Sequence, residues 1–213
     1  MIHVIGDSHV CFFNGADGIT DLYPYAHSNP PFLTYRIGAA LAYNVCKAYS
    51  TCGTKEAIEA IASKISASDS ILLSFGEIDC RYHIKHQSVK QNTRVQNIIN
   101  DCVERYITAI QPMCHKHKIG VWGPVATTHW PVENSSHECM VEGSHEERNE
   151  ITRLFNEQLK IRSTETGVKF FSVFEQLLCP DGTTNQYYYA DYIHLGKVAT
   201  SLMLQTGLVE AMS

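Results

Sequence analysis

Ser8, His194 and Asp191 are the residue types from which a nucleophilic serine site is made. Ser8 stands in "HVIGDSHV" (3–10), behind a short apolar run and a glycine; Asp191 and His194 stand in "YYYADYIHLG" (187–196). A serine hydroxyl is a poor nucleophile until a base takes its proton, and the base needs a third group to fix its tautomer. On a tight turn, the Asp191 carboxylate can accept from one imidazole nitrogen while the other faces outward. Gly6, Asp7 and Ser8 are also common turn formers, so the first cluster alone would equally suit a turn.

These residues need elements that bring the two chain ends together. "IHVI" (2–5) reads as a strand stopped at Gly6, and 11–37 reads as a long irregular connection, a type that is usually functional. "GAALAYNVCKAY" (38–49) and "TKEAIEAIASKI" (54–65) favour helix, and Val95, Ile98, Ile99, Cys102, Tyr106, Ile110 and Met113 recur at helical spacing. "SILLSF" (70–75) and "KIGVWGPV" (118–125) are continuous apolar runs, as in strands buried on both faces. Ser144 as N-cap, Glu147 three residues later and Gly167 as a stop predict a helix over 145–166. "VKFFSVF" (168–174) reads as a strand, and "HLGKVATSLMLQTGL" (194–208) begins a final helix. Strands alternating with helices predict a single domain over 1–213, a three-layer α/β/α sandwich on a mainly parallel sheet. Sites in such sheets lie beyond the carboxyl ends of the strands, where Ser8, Gly76, Pro124 and the segment after 174 would all emerge.

Three stretches carry a family resemblance. "GDSH" (6–9), "FGEID" (75–79) and "DYIHLG" (191–196) resemble the first, third and last conserved blocks of the SGNH hydrolases, the GDSL-type esterases, in order and across nearly the whole chain. The resemblance implies a flavodoxin-like fold and an esterase or acyltransferase acting on acyl esters, O-acetyl groups of carbohydrates among them. It makes Ser8 the nucleophile, His194 the general base and Asp191 its orienting partner. The oxyanion donors it implies are the backbone N–H groups of Ser8 and of Gly38 in "YRIGAALAY". The family's third block reads Gly-x-Asn-Asp, whose Asn is a further donor, but Ile78 stands there in this chain. Arg81, with five donors and a permanent charge, is the candidate substitute, and an ion pair with Glu77 or Asp79 is its other reading. A glycan-binding module of the same fold with little or no turnover is the alternative function.

Asp7, Glu77, Asp79, His129 and Trp130 are the expected substrate contacts, an indole being suited to a sugar face. A Trp130 that merely packs its loop is the simpler account. His9 is expected to point away from Ser8 if the backbone there is extended. A formal net charge of −5 with no basic run gives nucleic acid no electrostatic support as a partner. No apolar stretch reaches the ~18 residues of a membrane span, and the first residues read as structure rather than a leader, so a cytoplasmic protein is expected. Eleven histidines include "HIKH" (83–86) and "CHKH" (114–117), but no stretch has a zinc spacing, so neither metal nor cofactor is expected. Eight cysteines without a C-x-x-C pair fit a reduced protein, with Cys46 and Cys102 as small helical hydrophobes. The implied partner is a small-molecule or glycan acyl ester.

Overall fold

The computed structural model describes residues 1–129 and 140–213. Among the described residues six strands form one sheet: β1 (Ile2–Gly6), β2 (His27–Asn29), β3 (Phe32–Arg36), β4 (Ser70–Ser74), β5 (Lys118–Trp122) and β6 (Lys169–Phe171), in the order β2-β3-β1-β4-β5-β6. All neighbours are parallel except β2, an antiparallel edge strand beside β3. The chain runs from β1 outward to β3, then crosses back to β4 on the other side of β1. That reversal makes the end of β1 the switch point of the sheet, where open α/β folds form their crevice.

Alternation along the strands builds two cores. Ile5, Ile71, Leu73, Ile119 and Val121 point to the face covered by helices α1 (Thr54–Ala62), α3 (Val95–Ile110) and α4 (His145–Thr166). Ile2, Val4, Leu72 and Trp122 point to the opposite face, which is covered by Val10, Phe12 and Phe13 of a 3₁₀ turn (Ser8–Asn14) and by α5 (Thr200–Gln205) and α6 (Leu208–Met212). The α/β/α layering is the one expected. Helix α4 starts and stops as its sequence dictates, with a reciprocal capping box between Ser144 and Glu147 and a left-handed Gly167. Helix α2 (Ile84–Lys90) follows a π-helical turn at Asp79–His83, neither of which the sequence pattern marked.

Three expectations are corrected. Residues 38–49 are not an α-helix but a loop around one 3₁₀ turn (Ala42–Asn44), because the buried Asp79 carboxylate accepts the N–H groups of Ala42 and Tyr43. Cys46 therefore sits in this loop, while Cys102 is fully buried in α3. The stretch 11–37 is not irregular throughout, since it contains β2 and β3. The final helix is interrupted at Gly207, whose φ of 68° lies in the left-handed region, so α5 and α6 are separate.

Gly6 is required by the sheet rather than by a turn. A Cβ there would lie 2.0 Å from the Ser74 carbonyl oxygen, a backbone atom that cannot swing aside. Gly6→Ala is expected to destabilise the fold by ~1–3 kcal/mol or more, as overpacking does. A urea midpoint equal to that of the parent protein contradicts this.

Candidate active site

The register of the sheet sets the candidate residues at one level. Gly6 pairs with Arg36 on one side and with Ser74 on the other. Ser8, Gly38 and Gly76 therefore each lie two residues past the same rung. The N–H of Ile37 donates to the Gly6 carbonyl at 2.8 Å, which carries the β3 end and Gly38 alongside the Ser8 turn. Asp7 opens that turn as its N-cap, with its Oδ1 accepting from the His9 N–H at 2.9 Å. The "GDSH" stretch is thus a strand end, a cap and the first two residues of a 3₁₀ turn.

The opposite chain end closes on this turn. His194 Nε2 lies 2.7 Å from Ser8 Oγ, and His194 Nδ1 lies 2.8 Å from Asp191 Oδ2. The other Asp191 oxygen accepts the N–H groups of Ile193 and His194 at 2.6 and 2.7 Å. Burial pushes the Asp191 carboxyl up, but these bonds outweigh it and hold the group at about 2. Asp191 is therefore a carboxylate and can only accept, so the proton of a neutral His194 sits on Nδ1. That tautomer leaves the Nε2 lone pair facing Ser8, which donates to it. The arrangement can take the hydroxyl proton as Ser8 attacks an electrophile.

Loop 189–196 and the residue after it are tied to the segments that follow β5 and the Ser8 turn. The Tyr189 hydroxyl donates to the Ala126 carbonyl, and the Thr128 hydroxyl donates to the Tyr192 carbonyl. The Lys197 N–H donates to Asp17 at 2.7 Å. Of the three tyrosines before Asp191, Tyr189 anchors the loop and Tyr187 is exposed.

Four expected contacts turn inward instead. Asp7, Glu77 and Asp79 are buried beneath the site, so they are not substrate contacts; each spends its carboxylate on backbone or buried cations. Arg81 is buried as well: its Nε donates to Glu77 at 2.8 Å and its Nη1 to the Met140 carbonyl at 2.6 Å. The ion pair is the geometry that the i, i+4 spacing of Glu77 and Arg81 produces. Burial alone would raise Glu77, but Arg81 and His9 outweigh it and hold the carboxyl far below its ordinary range. His129 is exposed and stands edge-on to His145 at 6.2 Å, while Trp130 lies outside the described residues. Among the described residues, no group of three His, Cys, Asp or Glu side chains is arranged to hold a metal, and no helix is long and apolar enough to cross a membrane.

His9 is the residue whose place the sequence misled on. The backbone is a 3₁₀ turn, not an extended strand, so the imidazole turns back into the site. Its ring stands 5.0 Å from that of His194, and its Nε2 lies 3.4 Å from Glu77 Oε2, a contact of charge rather than an aligned hydrogen bond. Burial works against a charge on His9, but Glu77 and Asp7 prevail and raise its proton affinity. The signal available was Asp7 as a cap one residue before Ser8.

Burial also pushes the Asp7 carboxyl up to about 6, against the opposing pull of His9. The native value exceeds the unfolded one, so ionisation of Asp7 works against folding above about pH 6, and stability from this group grows as pH falls toward about 4. Asp7→Asn keeps a capping oxygen and removes the charge. We expect this variant to melt above the parent at about pH 8, with the gain fading toward about pH 4. A difference that does not change with pH contradicts the assignment.

Comparison with solved structures agrees with this architecture over the full chain. An aryl esterase from M. smegmatis, in its inhibitor-bound form, superposes with a TM-score of 0.60 at 14% identity, covering 100% of this chain and 99% of that one. The fold is that of the SGNH hydrolases. A carbohydrate acetylesterase from Sinorhizobium meliloti shares the SGNH fold, with a TM-score of 0.52 at 16% identity over 99% of this chain and 95% of that one. So does a phospholipase A1 from Streptomyces albidoflavus NA297, with a TM-score of 0.50 at 12% identity over 100% and 98%. No protein-family profile matches the chain, and no curated protein matches it in sequence. The SGNH fold of this chain is thus one that acyl ester hydrolases use.

Proposed function

We propose that this protein is a serine esterase or acyltransferase acting on small-molecule or glycan acyl esters, O-acetylated carbohydrates among them. The observation that carries the reading is the unbroken chain from Ser8 Oγ through His194 to Asp191, at 2.7 and 2.8 Å. Ser8 Oγ attacks the ester carbonyl carbon as His194 Nε2 takes its proton. The carbonyl oxygen becomes an oxyanion facing the Ser8 and Gly38 N–H groups, the proposed hole. His194 then returns the proton to the leaving alkoxide as the carbon–oxygen bond breaks. Water or another hydroxyl attacks the acyl-Ser8 ester by the same route in reverse.

The second reading, a module that binds an acylated ligand with little turnover, draws on Ile78. This apolar residue is half-buried and offers no side-chain donor at the position where the resemblance places one. A panel of acyl esters from acetyl upward, run with the purified protein, separates the two. Turnover of short acyl esters above the buffer rate supports the enzyme. Binding of acetylated oligosaccharides with no ester cleaved across the panel supports the module.

A further inference from the structure

We infer that His9 is a positioning residue for the general base, its ring holding the His194 imidazole in line with Ser8. The inference rests on the esterase reading above and adds a residue to it. The problem it addresses is one of reference. His194 and its partner Asp191 lie on the same loop, three residues apart, so their mutual bond fixes the imidazole relative to the loop but not relative to the serine. Asp191 is moreover half exposed, at 52% of its side chain, and sits at the rim. The Tyr189, Thr128 and Lys197 bonds hold the loop backbone but touch no atom of the imidazole.

His9 is the one ring packed on that imidazole among the described ring contacts, and it belongs to the turn that carries Ser8. Its position is itself over-determined. The backbone N–H is held by Asp7, and the ring faces the Glu77 carboxylate. Glu77 is gripped by Arg81, which bonds the Met140 carbonyl and whose own carbonyl accepts the Glu142 N–H at 3.0 Å. The result is a row that runs from residues 140–142 through buried Arg81, Glu77 and His9 and ends at the half-buried base, His194. With His9 protonated, its charge and that of Arg81 both face the Glu77 carboxylate, and the raised proton affinity of His9 agrees. Asp79, Cys80, Tyr106, Arg148 and Tyr189 are the other buried titratable groups that interact with Asp7 or Glu77. A reacting group displaced by about 1 Å loses ~10²-fold in rate, so a ring that sets this distance carries a measurable share of kcat.

Two substitutions separate ring from polar contact. His9→Phe keeps a flat ring against His194 and gives up the contact with Glu77. His9→Asn keeps a donor toward Glu77 and gives up the ring. With p-nitrophenyl acetate, His9→Asn is expected to lower kcat by about 10- to 100-fold at a KM within about twofold, while His9→Phe stays within about fivefold of the parent. The proton on His194 Nδ1, read by NMR as a low-field signal, should persist in His9→Phe and broaden away in His9→Asn. Thermal melts of both variants report folding separately, and the NMR reading on whichever variant folds is sufficient. The inference is overturned if His9→Asn keeps parental kcat, if His9→Phe is the more impaired of the two, or if the low-field signal is the same in both. Parent protein with no ester cleavage dependent on Ser8 would instead overturn the esterase reading on which it stands.

Discussion

Ser8→Ala is expected to lower kcat on short acyl esters by about 10⁶-fold, the scale of a lost nucleophile in a serine triad. In the proposed mechanism the hydroxyl oxygen forms the covalent bond, and no other group on the turn can replace it. Asp7 is spent on the His9 N–H, and Cys11, one turn further on, is buried and accepts from Thr20. What remains in the variant is the binding surface and the backbone donors of the proposed hole, worth ~10³–10⁴ over water in such sites. Folding should be nearly untouched. Asp7 and Gly15 still close the two ends of the 3₁₀ turn, and among the described residues the side-chain bond lost is that between Ser8 and His194. A melting temperature like the parent's therefore goes with the loss of turnover. Comparable rates for Ser8→Ala and parent place the chemistry elsewhere.

Glu77→Ala is expected to cost about 3–5 kcal/mol of stability, the penalty for breaking a buried ion pair from one side. For a chain of this size that is a fall of roughly 10 °C or more in melting temperature. The cost arises less from the lost attraction than from what stays behind, a buried Arg81 guanidinium and a His9 imidazole without their carboxylate. Glu157 offers the contrast. It also pairs with an arginine at i, i+4 spacing, but it is 57% exposed and its Arg153 partner 38% exposed. Water screens that pair, so Glu157→Ala should change stability by at most ~1 kcal/mol. Equal effects at the two positions would show that burial of Glu77 carries no special cost.

Part of this molecule is legible in its sequence because local and long-range preferences agree. Helix α4 carries its own start and stop in Ser144, Glu147 and Gly167, and β4 and β5 are apolar enough to be buried strands wherever they fall. Ser8, Asp191 and His194 are legible because they stand in "GDSH" and "DYIHLG", short blocks at the two ends of the chain that resemble those of a known family. Other parts are decided by tertiary partners. β3 buries Phe32 and Thr34 on alternate positions, but a polar Thr34 just after Pro30-Pro31 hides the period of two. Residues 38–49 have helical composition, and only the Asp79 carboxylate, 37 residues from Ala42 in sequence, turns them into a loop. The directions of the His9 and Arg81 side chains are likewise decided by tertiary partners. Whether a polar side chain beside an active serine faces substrate or core depends on the backbone turn beneath it, and one residue of phase reverses the answer.

In the proposed mechanism an imidazole from the far end of the chain activates the Ser8 hydroxyl. Fluorophosphonate labelling followed by peptide mass spectrometry tests it most directly. One phosphonylated site, Ser8, is expected in the parent protein, with loss of that adduct in His194→Ala. An unlabelled Ser8 in folded parent protein, or an adduct that forms equally fast without His194, would contradict it.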